Sequence, residues 1–341
     1  MSDTGYDTDG SETGQNTDGT GRAGTDAAPL DGLALDEAAE RVLARETGRD
    51  AETARASLSY AAENGVVSEA ALGDALAEAS KLVATAETRA ELARIALDEA
   101  REAAASVEDV PTVAARIERF EHDVSAVEER AADLGPSLQS VVDDRGEPAA
   151  RFAVADGVRR VEQRARSVQR DADDCQFDIE AFERWLDSHG TRVRELDEDA
   201  DAFASSLDDL AAAVEAVEDA ETDADPARVW FDATLRHRVA GLTVADMRAE
   251  LADLRTWADR EGAGPADPSL DDLADRLGDL DARREALGER LAERAEPAWR
   301  SRFGDTLADL EGELDGLAPP VDWGAVGEAL EECRSTAGLD G

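Results

Sequence analysis

Residues 158–217 read VRRVEQRARSVQRDADDCQFDIEAFERWLDSHGTRVRELDEDADAFASSLDDLAAAVEAV. From Val158, Val161 and Ala165, through Cys175, Phe182, Leu186 and His189, to Leu210, Val214 and Val217, one set of positions recurs in alternating steps of three and four. Such a seven-residue repeat keeps a narrow apolar seam on one face of a slightly under-wound helix. No proline lies between Pro148 and Pro226, so the repeat predicts one helix of about 70 residues, roughly 100 Å long at 1.5 Å per residue. A seam this narrow is not stable alone in water, and the helix needs partners.

Upstream, Val113, Ile117, Phe120, Val124, Val127, Ala131, Leu134, Leu138 and Val141 form a second seam, with Gly135-Pro136 inside it as a kink. Asp143 to Pro148 reads as a turn. A short loop between two seams makes antiparallel neighbours. Segment 112–143 is therefore expected to fold back on the first half of the long helix, with Val127 near Ala165 or Val168 and Val141 near Phe152. The second half then wants another partner, expected after Asp225-Pro226, a cap followed by proline at the first helical position. Phe177 and Trp185 flank the seam. Large aromatics there mark a second packed face, and the two form the candidate interaction face on which a third helix docks.

Residues 1–28 hold almost nothing apolar and are expected to be disordered. From 33 to 85 the punctuation predicts three short helices, with Asp36, Asp50 and Ser68 as caps and Asn64-Gly65 as a stop. Thr88 to Glu91 reads as a capping box that opens a new helix. After Pro226, Gly241 ends a helix and Thr243 caps the next. Ser269 starts one lined by Leu270, Leu273, Leu277, Leu280, Leu287 and Leu291, Pro297 breaks it, and Asp322 caps a last one. No strand pattern is present. The expected fold is all-α: a long antiparallel helical hairpin or coiled coil (86–222), a small N-terminal three-helix bundle (33–85), a C-terminal helical bundle (226–335), and disordered ends at 1–28 and 336–341.

The 341 residues carry a formal charge of −45, and the 36 basic residues include a single lysine, Lys81. Acid spread over every helix face is the habit of proteins from molar salt, where a Debye length of about 3 Å screens the self-repulsion. Such a surface is a poor partner for nucleic acid or for an anionic membrane. Cys175 and Cys333 fall on seam positions and read as small core residues of a reducing cytosol. No run of about 18 apolar residues occurs, so the chain is expected to be cytoplasmic and without a membrane span.

The raw materials of catalysis are scarce. The three histidines, His122, His189 and His237, stand in no metal-binding spacing, and neither a phosphate-cradling Gly-Lys-Ser/Thr loop nor a Gly-x-Ser-x-Gly elbow occurs. The expectation is a protein that is not an enzyme, with no cofactor and no metal. Arg159, Arg160, Arg164, Arg166 and Arg170 are the most basic stretch. They spread around the helix, and the hairpin is expected to pair them with Asp123, Glu128, Glu129 and Asp133.

The stretch 64–104, NGVVSEAALGDALAEASKLVATAETRAELARIALDEAREAA, resembles haloarchaeal soluble coiled-coil proteins often labelled transducer-like, over roughly residues 33–142. That resemblance implies a helical protein associated with signalling. The membrane spans and kinase-binding tip of taxis transducers are not visible. The expected function is a helical scaffold or adaptor that binds other proteins and self-associates through leftover seam. The alternative is a DNA-binding regulator using the 36–83 helices. Against it, the third of these offers Lys81 as its only base beside Glu69, Asp74 and Glu78.

Overall fold

The computed structural model describes residues 30–45, 48, 50–146, 150–218, 225–262 and 268–339. The expected disordered segment 1–28 and the end of the 143–148 turn, residues 147 and 148, lie outside the described residues. Among the described residues the fold is all-α apart from one pair of two-residue strands. The chain divides into two compact units, Met1–Ala79 with Leu138–Arg160, and Ser80–Ser137 with Val161–Gly341. This differs from the expected division at 85 and 226, because the tip of the hairpin belongs with the N-terminal helices and its body with the C-terminal ones.

In the first unit, α1 (Leu35–Leu43) and α2 (Ala51–Ser59) precede β1 (Ala62–Glu63), β2 (Val66–Val67) and the start of α3 (Glu69–Ala104). Asp50 caps α2 by accepting from the Thr53 amide at 2.8 Å, and Ser68 accepts from the Ala71 amide at the start of α3. Asp36 is not a cap; Ala34 holds that position and Asp36 sits in the first turn. Asn64-Gly65 is a hairpin turn rather than a helix stop. Both residues have positive φ, 50° and 79°, the backbone that a two-residue loop between antiparallel strands demands. Strands this short leave no alternation to read. Leu58, Val67 and Leu72 form the core with Phe152, Ala155 and Val158 of α6 (Arg151–Asp187). Inside it, the buried Asp156 carboxylate accepts from Ser57 Oγ at 2.7 Å and from Arg159 and Arg160 at 2.8 and 3.0 Å. These bonds outweigh its burial and hold its pKa below the usual value.

The expected fold-back is present. In the first unit, a Cβ on Gly157 would meet Val141 Cγ2 at 2.7 Å, so at this crossing only glycine fits. In the second unit, α4 (Pro111–Ala132) runs antiparallel to α6, with Arg130 on Asp171 at 2.6 Å and the Phe120 and Phe182 rings 5.4 Å apart. The register is centred several residues later than expected, pairing Val141 with Gly157 rather than Phe152. The short helix α5 (Leu134–Asp143) follows a kink at Asp133, where Pro136 has no amide to continue the ladder. Arg164 lies 3.9 Å from Asp133, as the hairpin predicts, but Arg159 and Arg160 pair with Asp156, and Arg166 with Glu162, along their own helix.

Thr88 opens no helix. Its Oγ1 donates to the Ala84 carbonyl in the middle of α3, which runs unbroken for 36 residues. The part of α3 in this unit lies beside α4 and α6, through Arg94–Glu128, Arg101–Glu121 and Arg89–Asp173 pairs and a 2.9 Å bond from Gln169 to the Leu82 carbonyl.

The expected 70-residue helix is two helices. It breaks at Ser188, whose Oγ and carbonyl accept from the Thr191 amide at the start of α7 (His189–Glu218). The seam residue there is His189, beside Gly190. The fully buried Arg192 fills the joint, donating to the Leu186 carbonyl at 2.7 Å and to Glu261 at 2.6 Å, with its guanidinium 3.9 Å from the Trp257 ring.

Asp225 caps α8 (Pro226–Glu261) with Pro226 in its first turn, as expected. Gly241 and Thr243 do not interrupt it; Thr243 Oγ1 donates to the Val239 carbonyl inside one 36-residue helix. The helix stops at Gly262, whose φ of +76° suits glycine alone. α9 (Pro268–Arg294) buries all six predicted leucines. It runs parallel to α7, with Arg276 on Asp197 and Arg283 on Asp208, and antiparallel to α8, with Arg248 on Asp281. This bundle is the partner that the second half of the repeat needed. α10 (Pro297–Leu314) and α11 (Trp323–Thr336), the latter capped by Asp322, complete the unit. Of the expected disordered tail, Thr336 ends α11, and the turn after it is closed by the Leu339 amide donating to the Arg334 carbonyl at 3.0 Å.

Candidate functional site

Phe177 and Trp185 do not share a face. Trp185 is 1% exposed, stacked on Phe182 at 5.7 Å, edge-on to Trp257 of α8 at 5.4 Å, and capped by the Arg116 guanidinium at 4.2 Å. It is where a third helix docks. Phe177 stays 65% exposed. The outward position of a residue in a repeat cannot tell which flank the next helix covers.

The more developed surface feature of this unit is a groove of about 750 Å³ between α7, α8 and α11. Its floor is apolar: Phe203 and Leu210 of α7, and Leu235 and Met247 of α8. All four side chains are buried and form the base of the cleft. Its walls carry Asp199, Asp209, Asp246 and Glu250 against two arginines, Arg236 and Arg334. Asp246 fixes the far side by accepting from the Val321 amide at 2.9 Å and from Trp323 Nε1 at 3.1 Å, so α8 holds the start of α11 in place. Trp323 remains 43% exposed at the rim.

Two carboxylates of this groove are raised by burial, Asp199 and, more strongly, Glu250. Burial is the main cause that pushes the Glu250 pKa up to about 7. Arg116 of α4, at 3.1 Å, pulls it back, while Asp199, Glu195 and Asp246 push it further up. Arg116 is shared with Glu195 at 2.7 Å, so one guanidinium serves a cluster of carboxylates. Sequence reasoning missed the groove. Its residues are individually ordinary seam and flank positions, and only the packing of three separate helices brings them together.

Cys333 is buried and Cys175 half-buried, both as free thiols. Burial, then Asp123, Asp178 and Asp171, push the Cys175 thiol up to about 11, which leaves it without thiolate reactivity near neutrality. Among the described residues no group of His, Cys, Asp and Glu is arranged to hold a metal ion, and no helix is long and apolar enough to cross a membrane. No family model, no curated protein and no solved structure matches the chain.

Proposed function

We propose that the chain is a non-enzymatic helical adaptor of a molar-salt cytosol, and that the α7–α8–α11 groove receives a short cationic amphipathic helix of a partner protein. The transducer-like resemblance of residues 33–142 supports a role in signalling. The observation that carries the reading is the groove itself: an apolar floor with four carboxylates and two guanidiniums around it. From Asp199 to Leu210 it follows α7 for about three turns, roughly 16 Å. That length suits a helix presenting apolar anchors at i, i+3, i+4 and i+7. Lysine or arginine beside those anchors meets Asp199, Asp209 and Glu250, and a like-charged acidic helix is rejected. At molar salt the charges are screened, so the apolar contacts supply affinity and the charges set orientation.

Calorimetric titration in molar KCl tests this with an amphipathic leucine–arginine peptide and its leucine–glutamate counterpart. The arginine peptide should bind saturably and the glutamate peptide should not. Ala202 is exposed on the groove wall, and Ala202→Arg should abolish binding without unfolding the chain. Asp272→Arg on exposed α9 should leave it intact. Equal binding of both peptides, or indifference to Ala202→Arg, contradicts the assignment.

A further inference from the structure

A second cavity of the same unit, about 580 Å³ between α8, α9 and α10, has the opposite electrostatic character. Arg238, Arg284 and Arg300 line it with His237, against Glu311 and Asp315. In a chain with 81 acidic and 36 basic residues, three guanidiniums around one cavity reverse the prevailing sign. Solvation of an acidic surface does not account for this, because arginine inside a cavity adds nothing to it.

The guanidiniums are incompletely used. Arg238 donates to Glu311 at 2.8 Å, but its Nε is buried and has no hydrogen-bond partner among the described residues. Arg300 donates to the Ala292 carbonyl at 2.7 Å rather than to an acid. Arg284 is held by Asp281 at 2.7 Å and reaches His237 Nε2 at 3.4 Å. A buried N–H left without an acceptor is unfavourable, and an anionic oxygen that reached Arg238 would supply the missing bond. Burial first, then the Arg284 and Arg238 charges, hold the His237 imidazole below its usual pKa, opposed by a backbone hydrogen bond at Arg284. The two guanidinium charges thus add to the effect of burial on this histidine. Gly288 makes room for it, since a Cβ there would meet His237 Nε2 at 2.4 Å. Trp230, Leu291 and Leu314 add apolar groups to the lining.

We infer that this cavity is a binding site for a small organic oxyanion, a phosphate ester or carboxylate, with its anionic head on Arg238, Arg284 and Arg300 and its apolar body against Trp230 and Leu291. Guanidinium groups suit the planar two-oxygen face of either head. A cavity lined by apolar groups and a few convergent polar ones is the usual form of a small-ligand site. It shares no lining residue with the α7–α8–α11 groove, so either assignment stands without the other.

The test uses phenyl phosphate, benzoate, inorganic phosphate and neutral benzyl alcohol as probes, at constant molar KCl, read by calorimetry and by tryptophan fluorescence. Phenyl phosphate or benzoate should bind saturably at one site, and whichever binds more tightly identifies the head group. Inorganic phosphate should bind at least tenfold more weakly, and benzyl alcohol not measurably. Arg238→Gln and Arg284→Gln should each weaken the tighter probe by about 10-fold or more, the loss expected for a charged hydrogen bond. Arg248→Gln, on the exposed side of α8, should not. If Arg238→Gln disturbs folding by releasing Glu311, Arg284→Gln and the wild-type titrations still decide. Absence of saturable binding of both aromatic anions to the wild type overturns the proposal. So does binding equally tight to the arginine variants.

Discussion

Asp253 of α8 caps α4 from 141 residues away, its Oδ2 accepting from the Thr112 amide at 2.9 Å and from the Thr112 hydroxyl at 2.7 Å. The residue in the local cap position is Val110, which has no side chain able to do this. Two amphipathic helices are thereby tied in register by a cap that neither sequence reveals alone. Asp253→Ala should destabilise the second unit by about 1–2 kcal/mol, the usual worth of a helix cap, while Asp279→Ala on exposed α9 should change little. Denaturant titration at fixed high salt measures both. Equal midpoints for the two variants would show that the cap contributes nothing.

Trp185 and Phe177 separate packing from exposure on the same helix. Trp185→Ala removes a ring in contact with Phe182, Trp257 and Arg116, and should cost about 3–5 kcal/mol. Phe177→Ala should leave the midpoint within about 0.5 kcal/mol. Thermal melts in molar KCl compare them directly, and a large loss for Phe177→Ala would place a helix over it.

Glu250 gives the second unit a pH signature. Its folded pKa, near 7, lies above the ordinary carboxylate value of about 4.3. The folded state therefore holds the proton more tightly, and this contribution is fully present below about pH 4 and lost as pH rises through 7. A shift of this size corresponds to roughly 3–4 kcal/mol. Glu250→Gln should flatten the decline in stability between about pH 4 and 7, the window between the two values. His237 is shifted the other way, so its contribution fades as pH falls below about 6.5 and does not imitate the Glu250 effect. An unchanged pH profile in Glu250→Gln would mean the carboxylate is not held in its buried, protonated form.

Salt should govern the fold as a whole. With a formal charge of −45, repulsion at low ionic strength competes with a net stability of about 5–15 kcal/mol in a typical domain. Helical circular dichroism should fall as salt is dialysed away and return with it. Cooperative melting undiminished in dilute buffer would contradict the molar-salt setting.

The helices were largely legible because seam positions obey a single period. Leu196, Phe203, Leu207 and Leu210 are all buried, as are the six leucines of α9. Breaks were less legible. Ser188 interrupts a repeat that stays in phase across it, and Thr88 and Thr243 resemble caps but bond back to the preceding turn. A hydroxyl at a helix start and one in a helix middle look alike in sequence, and tertiary packing selects between them. The candidate sites were not legible at all. Glu250 and Arg238 occupy commonplace helical positions, and their chemistry comes from burial beside helices that are distant in sequence.

The central claim is that the α7–α8–α11 groove takes a cationic amphipathic helix, and hydrogen exchange of the full chain with and without the leucine–arginine peptide tests it most directly. Added peptide should slow exchange in residues 199–210 of α7, 235–250 of α8 and the α11 segment beside them, with α3 and α4 unchanged. Protection confined to the exposed face around Phe177, or spread uniformly over the chain, would contradict it.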